Sequence, residues 1–355
     1  MIGNRLKRSR EALGLSLREL EAAIQGLVSA QAIGKYERGE MMPGSKVLIA
    51  LAKSLRVSPE FLLSETEIEL VGVDFRKAPQ AAVKDEKAVE SAVLDQVERY
   101  LGLEELLAGA GESWNAPTGK DYDIAAIDDA EQAANVLRKR WALGTDPIPG
   151  VAELLEDKGI KVIALNLPEN ISGSKALVRQ RGYKDVPVIV VNQNHNGARQ
   201  RFTLSHELAH LVLRFNGLSE LEQEKASDRF AGAFLMPGEV LLRLLGGHRT
   251  SISLGELAEL KKLFKVSIAS LVVRCSQLDV LSKVAYGKLW GQIRALGWNG
   301  PTSNEPYQMP PEVPQRMERM CMRAVAEGAI SEAKAAELLG ISVRELDRRM
   351  MGQLA

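Results

Sequence analysis

Cysteine is nearly absent from this chain. Its 355 residues hold two, Cys275 and Cys321, too few for a disulfide framework or a Cys-x-x-Cys metal knuckle. Long apolar runs are missing too. No stretch approaches the roughly 18 uninterrupted apolar residues of a membrane span, and the basic start (Arg5, Lys7, Arg8) lacks the apolar segment of a secretory signal. These absences argue against an integral membrane protein and lead to the expectation of a cytoplasmic one. Net charge is lacking as well, with 46 Lys+Arg against 46 Asp+Glu. Taken alone this argues against a nucleic-acid binder, but a chain average can conceal a local basic patch. Histidine is scarce, and its placement is informative: of four, two lie four residues apart. The length suggests two or three domains.

Residues 1–65 read as five short helices. Leu6, Leu13, Leu15, Leu17, Leu20 and Ile24 recur at helical spacing with a break at Gly14. Ser16 with Glu19 three residues on is a capping-box signature, Ser29 can cap a third helix, and Ser58 precedes a fifth. Residues 66–125 are expected to form a helical connector. Within it, 85–107 has an apolar side at Ala88, Val89, Val93, Val97, Leu101 and Leu106, and 109–119 is turn-rich. From about residue 126 the texture changes to mixed α and β. Strand candidates are 161–165, 175–179 and 186–192, the last the strongest despite Pro187. Helical patterns dominate after 252, broken by a proline-rich stretch at 301–314.

The segment Thr203-Leu204-Ser205-His206-Glu207-Leu208-Ala209-His210 contains the pattern His-Glu-x-x-His. Positions i and i+4 share a helix face, so both imidazoles can reach one metal ion, and Glu207 projects where it can take a proton from a metal-bound water. The pattern specifies three positions only, and a surface helix with two histidines and a solvated glutamate competes with it. A third donor changes the balance. Glu224, in the next helical segment, can complete the set His206, His210 and Glu224, leaving a fourth position for water as in catalytic zinc sites. Asp228, one turn on, can accept the second ring N–H of a ligand histidine and fix its tautomer. An exposed charge among Glu220, Glu222 and Glu224 is the alternative. His195 and His248 are expected at the surface, and His195, Tyr183 and Arg199 are loose candidates for stabilising an oxyanion.

Within 1–65, residues 15–24 fit a supporting helix and 29–37 a recognition helix. Ile33 and Tyr36 are expected inward, with Gln31, Ala32 and Lys35 outward. Glutamine can bond adenine edges, lysine can reach guanine or phosphate, and small residues allow close approach to the groove. Arg5 and Arg8, with Lys7 and Arg10, are expected on phosphates, and Ser29 and Arg38 complete the expected DNA-contact set. Residues 1–66 carry ten Lys/Arg against seven Asp/Glu, a net of +3, so the remainder carries −3. The tail around 330–346 has a similar helical rhythm, but 312–355 interleaves seven basic with seven acidic residues. It reads as a structural helix pair or dimerisation element rather than a second DNA reader.

Two resemblances sharpen this reading. Phe202-Thr203-Leu204-Ser205-His206-Glu207-Leu208-Ala209-His210-Leu211, then Glu224, Asp228-Arg229-Phe230-Ala231 and Phe234-Leu235-Met236-Pro237, resembles the ImmA/IrrE metallopeptidase family over about residues 130–280. Ala209 replaces a usual glycine, and Ala226 replaces a second glutamate; if Ala226 stood where a ligand is needed, the site would be impaired. Val28-Ser29, Ile33 and Tyr36-Glu37-Arg38-Gly39, with Pro43, Leu48, Leu51-Ala52 and Leu55-Arg56-Val57, resemble the Xre/Cro-type helix-turn-helix family. Together they imply a mainly α chain with a small α+β zinc peptidase core (126–280), a five-helix helix-turn-helix domain (1–65), a connector (66–125) and a helical C-terminal region (281–355). The implied function is a DNA-binding regulator with a Zn²⁺-dependent endopeptidase, acting on a repressor or antitoxin in a stress or phage-type response. A double-stranded DNA operator, a protein substrate and a homodimer are the implied partners, and no membrane. The alternative is a non-catalytic repressor or antitoxin whose peptidase-like domain senses a ligand or partner.

Overall fold

The computed structural model describes residues 2–55, 57–63, 68–72, 83–107, 113–180, 184–300 and 303–352. The chain is mainly α with little sheet, and it divides into two compact units. One comprises Met1–Glu112, Ala176–Val186 and Gln315–Ala355; the other comprises Ser113–Lys175 and Pro187–Pro314. The expected connector (66–125) and C-terminal region (281–355) are each shared between these two units.

In the first unit, α1 (Ile2–Ala12), α2 (Leu17–Ala23), α3 (Ala30–Glu37), α4 (Ser45–Leu55) and α5 (Pro59–Leu63) enclose a core of Leu6, Leu20, Ile33, Leu51 and Leu62. Their starts follow from capping. Ser16 and Glu19 exchange bonds in a capping box, and Ser29 Oγ accepts from Ala32 N–H at 3.3 Å. Helix α1 lies so close to the end of α3 that a Cβ on Gly3 would stand 2.6 Å from the Tyr36 carbonyl oxygen, so only glycine fits there. The five helices extend into a larger body through α6 (Val83–Leu106), which packs along α1.

Helix α6 also packs on α15 (Arg316–Ala326). Tyr100, Leu103 and Leu107 share a buried cluster with Met320, Cys321 and Ala324, with Ala335 and Ala336 of α16 (Glu332–Leu339) and with Leu346 of α17 (Val343–Met350). The tail is therefore the other half of α6's packing. Strand β1 (Ile68–Val71), which local pattern does not announce, pairs antiparallel with the far half of β4 (Gly173–Gln180), from Ile68↔Gln180 to Val71↔Leu177.

The second unit opens with β2 (Asp123–Ile124), α7 (Asp129–Arg140), α8 (Val151–Asp157) and β3 (Lys161–Leu165). After β4 come β5 (Val186–Asn192), α9 (Gly197–Val212), β6 (Arg214–Phe215) and α10 (Glu220–Leu235). Then follow α11 (Gly238–Leu245), α12 (Leu254–Phe264), α13 (Ile268–Gln277) and α14 (Lys283–Ala295). Strand β5 runs parallel to β3, with Val188 to Val191 all buried, which explains its unbroken apolar sequence. Helix α10 packs on both α7 and α9 around Leu204, Leu208, Phe230 and Phe234.

The described part of the proline-rich stretch, 303–314, is a strap, not a simple break. Glu312 accepts from Ala152 N–H at 2.8 Å and pairs with buried Arg201, while its own N–H donates to Gln200 Oε1 at 2.7 Å. Where the strap crosses the start of α9, a Cβ on Gly197 would stand 1.9 Å from the Pro310 carbonyl oxygen. Gly197→Ala should therefore force strap and helix apart and lower stability by about 1–3 kcal/mol. Thermal unfolding of the purified variant measures this, and an unchanged midpoint would contradict the contact.

Candidate metal centre

Helix α9 begins where Asn196 Oδ1 accepts from Arg199 N–H at 2.9 Å. Its apolar stripe, Leu204, Leu208, Ala209 and Val212, is buried in the core, which turns His206, Glu207 and His210 to the half-buried opposite side. Helix α10 begins at a Ser219–Glu222 capping box. Its buried stripe includes Ala226, Phe230, Ala233 and Phe234. Glu224 and Asp228, one turn apart, stand on the side that meets α9.

The three expected donors come together. His210 Nε2 lies 3.2 Å from His206 Nε2 and 3.2 Å from Glu224 Oε1, and Glu224 Oε2 lies 3.3 Å from His206 Nε2. Donors bound to zinc at about 2.0–2.1 Å in a tetrahedron stand about 3.3 Å apart, so the spacing and the two-imidazole, one-carboxylate set both fit such an ion. Among the described residues this is the group whose geometry could hold a metal. Asp228 Oδ1 sits 2.9 Å from the other ring nitrogen of His206, Nδ1. Ala226 is fully buried in the core, so its departure from the family pattern falls away from the donors.

The first unit places the expected DNA contacts differently from one another. Ser29, Gln31, Lys35 and Arg38 are exposed on and beside α3, and Ala32 is half-buried among them. The Ser29 hydroxyl serves as the helix cap, and Arg38 bonds to exposed Glu40. Arg5 and Arg8 are corrected. Arg5 is buried, donates to the Phe61 carbonyl at 3.0 Å and pairs with Glu98 of α6; Arg8 bonds to the same carboxylate at 2.9 Å. Arg10 is likewise committed to Glu37. Those three cations are each engaged in an ion pair within the unit.

Comparison with known families agrees with both halves. Residues 155–276 match the M78 peptidase family model, the IrrE N-terminal-like domain, and residues 6–62 match a helix-turn-helix model. The chain thus carries one segment similar to helix-turn-helix domains and another similar to IrrE-type peptidase domains. No curated protein and no solved structure matches it.

In the IrrE-type domain, His195 is corrected: it is buried rather than exposed. Its Nε2 lies 2.9 Å from the Glu169 carbonyl, and burial pushes its pKa down. It belongs to a turn organised by buried Asn192, whose amide donates to the carbonyls of Leu167, Pro168 and Ile171. His248 is exposed, and Tyr183 lies outside the described residues. Arg199, by contrast, donates to Ser172 Oγ at 2.9 Å and shares a cleft with Asp228. Pattern reading missed Arg138 and Arg274, two buried arginines that fix the end of α10. Arg138 donates to the Phe234 carbonyl at 2.5 Å, while Arg274 donates to the Met236 carbonyl at 3.0 Å and to both Glu131 oxygens.

Burial works against the His206 imidazolium, but the bonds to Asp228 and Glu224 outweigh it and push its pKa up to about 10. The raised value lies above the ordinary 6.5. With no ion bound, this stabilisation is fully present below about pH 6.5 and is lost as pH rises through about 10. Urea unfolding of metal-stripped protein should show the midpoint falling across that window, with a flatter profile in Asp228→Asn. Superimposable wild-type and variant profiles would contradict the assigned cause.

Proposed function

We propose that the chain is a transcriptional regulator whose IrrE-type domain is a zinc endopeptidase that cleaves a repressor or antitoxin protein. The observation that supports this best is the convergence of His206, His210 and Glu224 at mutual distances of 3.2–3.3 Å, with Asp228 behind His206. In this reading those three residues hold Zn²⁺. Asp228 keeps the His206 proton on Nδ1, which leaves the Nε2 lone pair facing the ion. Zinc, when bound, supplies Lewis-acid activation of water and of the scissile carbonyl. Glu207 stands beside the donors on α9, and its charge adds to the raised pKa of His206. Its carboxylate accepts the proton released on attack and passes it to the leaving amine.

In the same reading, α3 enters the major groove of an operator, with Gln31 on base edges, Lys35 on guanine or phosphate and Arg38 on the backbone. As with other helix-turn-helix readers, a homodimer would address two half-sites, and the protein would act in the cytoplasm. Among the described residues no helix is long and apolar enough to cross a membrane.

The test compares three forms in cells: wild type, Glu207→Gln, and the double variant Gln31→Ala, Lys35→Ala. A repressor fragment should appear with wild type and decline about 10²–10⁴-fold with Glu207→Gln, which keeps its zinc. The double variant should lose operator occupancy, measured by footprinting. A fragment undiminished in Glu207→Gln would overturn the peptidase role, and intact footprints in the double variant would overturn the DNA contacts.

A further inference from the structure

Neither the metal centre nor α3 involves the helix pair at the end of the chain, yet that pair is built as α2 and α3 are. Helix α16 starts at Ser331, whose Oγ accepts from Lys334 N–H at 3.2 Å, and α17 starts at Ser342, whose Oγ accepts from Glu345 N–H at 3.1 Å. Three residues, 340–342, separate the two helices. Gly340 adopts a φ of +67°, in the left-handed region, and the Ile341 N–H returns to the Ala336 carbonyl at 3.0 Å, which ends α16 and redirects the chain. Ala335, Ala336 and Leu346 face the core shared with α15. Two packed helices joined by a short glycine-containing turn are the geometry of a helix-turn-helix, whose second helix enters the major groove.

The outer face of α17 suits that role. Val343, Arg344 and Arg348 are exposed, while Asp347 between them is half-buried. Arg344, in the first turn, makes no bond to another described residue. The first turn of a recognition helix is the part that reaches base edges, and arginine on guanine is the commonest specific contact there. The even charge of 312–355 argues against a DNA reader, but most of its acids are held in ion pairs. Glu312 pairs with Arg201, Glu318 with Arg349, Glu327 with Arg323 and Glu337 with Lys334, and Glu345 lies against Arg348 and Arg349. The pair is also fixed to the body that carries α3. Glu337 Oε1 accepts from Ser58 N–H, just before α5, at 3.1 Å, and its carbonyl accepts from Arg99 of α6 at 3.0 Å. Both helix pairs lie in one compact unit.

We infer that α16 and α17 form a second reading site for double-stranded DNA, in the same unit as α3. Helix α17 enters the major groove over a guanine-containing element, with Arg344 on the guanine edge and Arg348 on a neighbouring base or phosphate. The inference depends neither on zinc and bond cleavage nor on the reading of α3.

Three forms of the full-length chain are carried through selection from a random duplex library: wild type, Arg344→Ala with Arg348→Ala, and Gln31→Ala with Lys35→Ala. Wild type should enrich two unlike motifs, on one duplex or on separate ones. The arginine variant should lose the guanine-containing motif, with affinity for it down about tenfold to a hundredfold, the size of one lost arginine–guanine contact. It should still enrich the other motif, which reports that it is folded. Sequences selected by the arginine variant that match those of wild type would overturn the inference. So would a lower sedimenting mass of that variant without DNA, which would assign α17 to an interface between copies of the chain. A motif lost in the arginine variant and none lost in the Gln31, Lys35 variant would keep this inference and sink the reading of α3. The converse pattern would do the reverse.

Discussion

The packing of α10 against α9 is the constraint on which the metal centre depends. It brings a carboxylate against two imidazoles that share one helix face, at separations of 3.2–3.3 Å. Half-buried groups of this kind are costly unless each has a partner or an ion. The burial of Leu204, Leu208, Phe230 and Phe234 holds the two helices in register and offsets that cost. Two arginines then fix the end of α10. Arg274, fully buried, forms a two-pronged pair with Glu131, which also accepts from Arg229. Arg138 donates to the carbonyl oxygens of Gly144, Phe234 and Asp146, and burial lowers its pKa to about 10. Removing one partner of a buried pair is far more damaging than the net gain from the pair, so these arginines are positional constraints more than sources of stability.

A comparable use of buried charge organises the first unit. Arg5 and Arg8 converge on Glu98, which ties α1 to α6. The +3 balance of residues 1–66 therefore overstates the charge available to DNA. The cations left facing solvent on and beside α3, Lys35 and Arg38, are a smaller set, and Arg38 shares its charge with Glu40.

Local chemistry was legible in the sequence, and long-range chemistry was not. Helix starts followed from Ser16 and Ser29, and periodicity separated the apolar face of α9 from the face bearing His206 and His210. Glu224 could be reached because it lies in the next helix, one turn before Asp228. Strand β1 was missed because its four residues acquire strand character from pairing with β4, far along the chain. The same distance effect misplaced Arg5, since nothing near Arg5 announces Glu98. His195 was misjudged because its polar neighbour Asn192 turns inward to satisfy backbone carbonyls, which takes the loop below the surface. The packing of α6 with α15 to α17 was not legible because sequence order places those helices at the opposite end.

The metal centre requires that α9 and α10 together hold one ion. Purified wild type should carry about one zinc per chain by elemental analysis, as a site of three protein donors and a water requires. Glu224→Ala should lose most of that metal while keeping its helical circular dichroism. A wild type without zinc, or a Glu224→Ala variant with an undiminished content, would contradict the shared site.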